Sequence, residues 1–239
     1  MDIRERLNAL ADPGYRKFHS GLLPGVEDIL GVRSPDLKKL AKEILAGDWR
    51  GYLAEASDGS HEERLLQGLV IAGAWRGMDR EELFRRTEEF VAKIDSWAIC
   101  DAFCGAYKAA DGGLRDAVWE FVRPYFEREG EYELRFAAVM ALSHYCDEAH
   151  AGEVFAYFDR IRSQAYYVRM AVAWAVSIYY IKMPERTMEY LRDCALDDWT
   201  YNKALQKITE STRVSWETKE QIRGMKRKQE GRNRERSQS

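Results

Sequence analysis

The stretch LRDAVWEFVRPYFEREGEYELRFAAVMALSHYC, residues 114–146, decides the fold. It follows the Gly112-Gly113 break and reads as a pair of helices, 114–128 and 131–146. The second helix, with ELRFAAVMALSHY, is apolar nearly all round and belongs in a core apart from its Arg135. The same pairing recurs at 79–94 with 95–109, 148–162 with 164–181, and 184–196 with 199–211. First helices begin at Asp79, Leu114, Glu148 and Pro184, a period of 34 to 36 residues. A helical pair repeated at this spacing is the signature of an α-solenoid. Upstream, 3–11 is a short helix ended by Asp12-Pro13-Gly14, and 15–23 adds a helical turn or two. Residues 26–34 read as a loop, and Ser34 caps a helix that begins at Pro35, a residue suited to the first helical position. Helices at 48–56 and 62–76 complete the run.

The bulk numbers agree with a folded, all-α chain. Of 239 residues, 46% are hydrophobic and 32% charged, a balance that argues against global disorder. No run of alternating β-branched residues is long enough to make a sheet. The formal net charge is −3, so no global basic field draws in nucleic acid. Its distribution is uneven: 223–239 carries seven Lys/Arg against Glu230 and Glu235, which leaves −8 on the remainder. The expected organisation is one repeat domain, 1–222, and a basic tail of disordered composition, 223–239, that either touches phosphates or only solubilises. Cys100, Cys104, Cys146 and Cys194 do not form a disulfide framework; they read as small buried thiols in helix packing. The charged N-terminus lacks the apolar region of a signal peptide. The most apolar stretch, 165–181, contains Arg169 and falls short of the roughly 20 residues a bilayer needs. A cytoplasmic protein without membrane contact is expected.

Chemistry concentrates in IDSWAICDAFCG, residues 94–105. Asp95 and Ser96 are both good helix N-caps, and Trp97 and Asp101, four apart, share a helix face. That pair either stabilises a developing cation or is a core Trp beside a solvated Asp. Stepping by 34 from Asp101 gives Arg135, Arg169 and Lys203, so repeats in register set one carboxylate beside a ladder of cations. An internal Asp101–Arg135 ion pair fixing helix register is the equally weighted alternative. His144 reads as a hydrogen-bonded core histidine. Trp49, Trp75, Trp119, Trp199 and Trp216 read as packing, and Trp174, among apolar neighbours, does so by default. There is no Gly-rich phosphate loop, HExxH or GxSxG, and no His/Cys set with metal-ligand spacing, so no cofactor is expected.

The ordered set DSWAICD (95–101), ELRFAAVMAL (133–142), YVRMAVAWAVS (167–177) and YNKALQKITES (201–211), with LPGVEDILGVRSPDLKKL (23–40) before it, resembles the AlkD-like family of DNA alkylation repair proteins. The likeness runs from Tyr15 to Val214. It implies an α-solenoid of antiparallel HEAT-like repeats with a concave groove, and a DNA glycosylase that hydrolyses the N-glycosidic bond of N3- or N7-alkylated purines such as 3-methyladenine and 7-methylguanine. It places the catalytic carboxylate at Asp101, two cleft tryptophans at Trp97 and Trp174, and a cleft arginine at Arg135. The family pattern around the carboxylate, approximately WWDSVD, has a second Trp and an extra Asp where this chain has Ser96 and Ala98. A basic residue expected one turn after the second Trp is Ser177.

The implied reaction suits these residues. An N3- or N7-alkylated purine is already cationic, and the transition state resembles an oxocarbenium ion. A fixed carboxylate stabilises that charge and orients water, and indole faces favour positive charge over them. Arg135 grips a phosphate or orients Asp101, and Arg169, Lys203 and Lys207 extend the phosphate track. No amine nucleophile is present for a lyase step. The expected partner is double-stranded DNA containing alkylated purines, bound by a monomer. A HEAT-like scaffold that binds DNA or protein without chemistry is the alternative.

Overall fold

Short polar side chains set where the helices of this chain begin. The computed structural model describes residues 2–228, and there Asp2, Asp12, Asp48, Ser60, Asp79, Ser96, Asp147, Asp197 and Ser215 each accept a backbone N–H of the helix they precede. Each such cap satisfies a donor that the helix itself leaves without a partner, worth about 1 kcal/mol. The chain divides into two compact units, with the boundary between His144 and Tyr145. The first holds α1 (Ile3–Leu10), α2 (Pro13–Leu22), α3 (Ser34–Ala46), α4 (Trp49–Glu55), α5 (His61–Gly73), α6 (Arg80–Val91), α7 (Trp97–Ala106), α8 (Arg115–Val122) and α9 (Glu131–His144). The second holds α10 (Glu148–Arg160), α11 (Tyr166–Lys182), α12 (Pro184–Asp193), α13 (Asp198–Glu210) and α14 (Trp216–Gly224). No strand occurs among the described residues. The all-α helical-repeat reading holds, and the four expected helix pairs are α6/α7, α8/α9, α10/α11 and α12/α13.

In the first unit the second helices stack in succession: α3 on α5, α5 on α7, α7 on α9. Their sequences dictate this. The run LLQGLVIA of α5 and FAAVMAL of α9 have no polar face to turn outward, and both helices are buried along most of their length. Gly68 lets α5 approach closely, because a Cβ there would sit 2.5 Å from the Phe90 ring. Phe103 of α7 packs against Phe90 and Phe136, with ring centroids 4.7 and 6.1 Å apart. Arg135, expected to be the exception on α9, is buried with its neighbours.

The loop before α3 is held from below. Glu62 is fully buried and its carboxylate accepts N–H groups from Leu30 (2.9 Å), Gly31 (2.7 Å) and Val32 (3.1 Å). Gly31 has φ +95°, and a Cβ there would lie 2.6 Å from Arg16 and 2.7 Å from the Asp12 carbonyl, so only glycine fits. Ser34, expected as the cap of α3, is its first residue. The cap position belongs to Arg33, which makes no side-chain cap bond; its guanidinium instead reaches Asp12 at 2.8 Å.

The second unit is tied by rings and by one arginine. Phe155 of α10 stacks on Tyr190 of α12 (centroids 4.2 Å apart) and tilts against Tyr179 of α11 (5.2 Å). Tyr179 also donates its hydroxyl to the Tyr145 carbonyl at 2.8 Å. Beyond α14, Arg227 donates to the carbonyls of Leu196 (2.6 Å) and Cys194 (2.8 Å) and lies over the Tyr201 ring at 3.9 Å. Of the basic tail read from the sequence, 229–239 lies outside the described residues. Trp216, expected to pack, is 69% exposed as the first residue of α14.

Candidate active site

The start of α7 builds the site. Both Asp95 and Ser96 qualified as its cap; Ser96 takes the role, accepting the Ile99 N–H at 3.4 Å, and Asp95 turns to Arg64 at 3.1 Å. Arg64 in turn forks onto both oxygens of Asp28 (2.7 and 2.9 Å) and donates to the Asp58 carbonyl at 2.7 Å. One guanidinium therefore ties the loop before α3 and the turn before α5 to the entrance of α7. This clamp fixes where Trp97 and the turn after it stand. Its hydrogen bonds hold the Asp28 carboxyl below its ordinary value, while burial pushes Asp95 up.

One turn into α7, Asp101 meets Arg135 of α9. The guanidinium donates through Nε to one carboxylate oxygen at 3.0 Å and through a terminal nitrogen to the other at 2.8 Å. Arg135 is 6% exposed and Asp101 21%. The pairing at a 34-residue step thus follows from neighbouring repeats in register. Two parallel N–H donors require both oxygens as acceptors, which is the ionised carboxylate. Burial pushes the Asp101 carboxyl above its ordinary value, and the Arg135 hydrogen bonds pull in the opposite direction. Burial opposes the Arg135 charge, but Asp101 more than offsets it and the net displacement is upward.

Trp97 is half-buried and donates its indole N–H to the Leu22 carbonyl at the end of α2, 3.1 Å away. That bond joins the first turn of α7 to a helix 75 residues earlier, a link that periodicity gave no means of finding. Asp101 also lines a cleft of about 310 Å³ with an apolar wall of Leu37, Leu65 and Leu69 and the ammonium-bearing Lys38 of α3. The sequence reading passed over Lys38, Leu22 and this cleft. Beneath the site His144 is a hydrogen-bonded core residue as read, with Nδ1 2.7 Å from Asp111 and Nε2 2.7 Å from the Cys104 carbonyl. All four cysteines are buried free thiols.

The remaining expected site residues lie in the second unit. Trp174 of α11 is half-buried between Ala173 and Ala175, which are fully buried, and its carbonyl accepts the Ser177 hydroxyl at 2.7 Å. Arg169 and Lys203 come together over Trp199, with the guanidinium 4.5 Å and the ammonium 5.7 Å from the ring centroid. Trp199, assigned to packing by the sequence, is therefore a shared cation–π platform. Arg169 also approaches Asp197 at 3.6 Å. Lys207 follows Lys203 by one turn of α13.

The sequence pattern of the DNA alkylation repair enzyme family matches residues 3–208. The chain belongs to this family. A role in DNA alkylation repair follows from membership, with DNA as the substrate polymer. No curated protein matches the chain. Among the described residues no helix is long and apolar enough to cross a membrane, and no group of three or more His, Cys, Asp or Glu side chains is arranged to hold a metal ion.

Proposed function

We propose that this member of the family is a monofunctional DNA glycosylase that hydrolyses the N-glycosidic bond of N3- or N7-alkylated purines in duplex DNA. The observation that carries the reading is the Asp101 carboxylate, forked to Arg135 at 2.8 and 3.0 Å, on the wall of an open cleft one turn from Trp97. The alkylated purine carries a positive charge. As the C1′–N bond breaks, its electron pair neutralises the departing base and positive charge moves to the sugar. Asp101, held ionised and oriented by Arg135, stabilises that charge and accepts a hydrogen bond from the water that adds to C1′. The proton of that water facing Asp101 is lost through the carboxylate to solvent, the other stays on the new C1′ hydroxyl, and the products are the free base and an abasic site. No base protonation and no amine nucleophile are required.

The indole of Trp97, its orientation fixed by the Leu22 carbonyl, is assigned to the sugar side of the lesion, and Trp174 to the same role from the second unit. Arg169, Lys203 and Lys207 are assigned to phosphates. The protein is assigned to act as a monomer in the cytoplasm.

The test is release of 7-methylguanine from methylated duplex DNA by the wild-type protein and by Asp101→Asn. Losing one such electrostatic contact costs roughly 10²–10³ in rate. Equal release by both proteins would remove Asp101 from the mechanism. Because burial raises the Asp101 carboxyl, wild-type activity is lost as pH falls through a value above that of an ordinary carboxylate.

One observation favours a second reading. Both Asp101 oxygens are already occupied by Arg135, which is also what a static register-fixing pair looks like. A non-catalytic scaffold would bind DNA with a steep salt dependence and release no base from any alkylated substrate.

A further inference from the structure

Helix α2 has no buried residue, unusual for a ten-residue helix inside a repeat array. Its sequence, PGYRKFHSGL, contains no acid, whereas the chain as a whole is net negative. Tyr15, Phe18 and Leu22 fall at i, i+3 and i+7, on one face. Phe18 is 63% and Leu22 45% exposed, among the few large apolar side chains so exposed in the described residues. The Tyr15 ring lies 6.3 Å from Phe18 and carries the Arg33 guanidinium at 4.8 Å. Arg16 and Lys17, both exposed, immediately precede Phe18 in sequence. The far end of the strip is joined to the candidate active site, because the Leu22 carbonyl receives the Trp97 indole N–H at 3.1 Å.

An exposed aromatic strip flanked by Arg16 and Lys17, whose one adjoining carboxylate, Asp12, is already paired with Arg33 at 2.8 Å, fits a polyanion with apolar surface between its charges. Duplex DNA has that character: phosphates on the outside, base faces reachable where a step opens. Arg16 and Lys17 meet phosphates, and a phenyl ring gains nothing from a phosphate. Phe18 is desolvated only by entering at a base step. We propose that α2 is a DNA-docking edge of the first unit, in which Arg16 and Lys17 hold the backbone and Phe18 wedges against a base step beside the nucleotide that Trp97 faces. This rests on the glycosylase reading for the identity of that nucleotide, and on nothing from it for the docking itself.

The experiment uses the full chain and an undamaged duplex carrying 2-aminopurine, read by anisotropy across a salt series and by 2-aminopurine emission. Wild type binds and brightens the probe as the base unstacks. Phe18→Ala, whose ring contributes little to packing at 63% exposure, binds about tenfold more weakly. It loses the brightening and keeps the salt slope. Arg16→Gln with Lys17→Gln lowers the slope of log affinity against log salt by about 2 while the residual complex still brightens the probe. Unchanged affinity, slope and emission in both variants would overturn the proposal. So would loss of binding to phosphatidylcholine–phosphatidylserine vesicles on Phe18→Ala with DNA binding intact, which would make α2 a membrane-surface element. Base release is scored separately: docking effects without released 7-methylguanine support the docking edge and refute the glycosylase, and release without docking effects does the reverse.

Discussion

Replacing Arg135 by Met tests the pair on which the site depends. The substitution keeps the stem's volume and removes both hydrogen bonds that Asp101 accepts from the guanidinium, at 3.0 and 2.8 Å. Removing one partner of a buried ion pair costs about 3–5 kcal/mol, because the other charge stays behind in a poor solvent. Asp101 keeps 21% exposure, so water recovers part of that loss and roughly 2–4 kcal/mol is expected for Arg135→Met. With a urea slope of about 2 kcal/mol per M, the unfolding midpoint falls by about 1–2 M at unchanged slope. The Asp101 carboxyl, already raised by burial, rises further once the opposing guanidinium is gone. Asp101→Leu with Arg135→Met removes both charges together, and the double variant is more stable than the sum of the single losses by about 1–3 kcal/mol. Urea unfolding at neutral pH followed by circular dichroism measures all three. Single losses that add within about 0.5 kcal/mol would refute the coupling.

Two further outcomes follow from the buried polar groups of α5. Glu62→Gln retains shape but sets an amide NH2 against backbone donors of the loop before α3, and is expected to cost about 1–3 kcal/mol. Amide exchange at Leu30, Gly31 and Val32 accelerates in that variant, and unchanged protection there would show that the carboxylate does not hold the loop. His61 is fully buried with neither ring nitrogen hydrogen-bonded, and burial lowers its pKa from 6.5 to about 4. The unfolded chain therefore takes up this proton first, and stability is lost as pH falls from about 6.5 to about 4, by roughly 3 kcal/mol at most. Burial lowers His19 in the same direction. Unfolding midpoints across that range, for wild type and His61→Leu, check it: an equal pH dependence in both would assign the loss to other groups.

What the sequence made legible was local or periodic. The start at Asp79 and the break at Gly112-Gly113 are decided within a turn, so the helix pairs could be placed to within a few residues. Asp101 and Arg135 could be paired because repeats in register turn a 34-residue step into a neighbour relation. Long-range contacts were not legible. Asp95 and Ser96 are equivalent as caps until Arg64 claims one of them. The burial of Glu62 and Glu63 in the first turn of α5 has no local signal, because the loop and Arg4 supply their donors from elsewhere in the chain. Trp199 and Trp216 look alike in sequence; one is covered by two cations and the other faces solvent. The apolar strip of α2 was read as no more than a turn or two, since the segment is short and its partners, His61 against His19 and Trp97 on the Leu22 carbonyl, come from far along the chain.

The fork between Arg135 and Asp101 also constrains how this chain can change over generations. A single codon change at either position strands a charge in the core, so it is selected against for folding before the fate of the reaction matters. Drift to a site without an acid requires two changes together or a permissive background that tolerates the first. The site is thus guarded by the fold's own solvency, and its loss in a lineage would leave a paired signature at two positions one repeat apart.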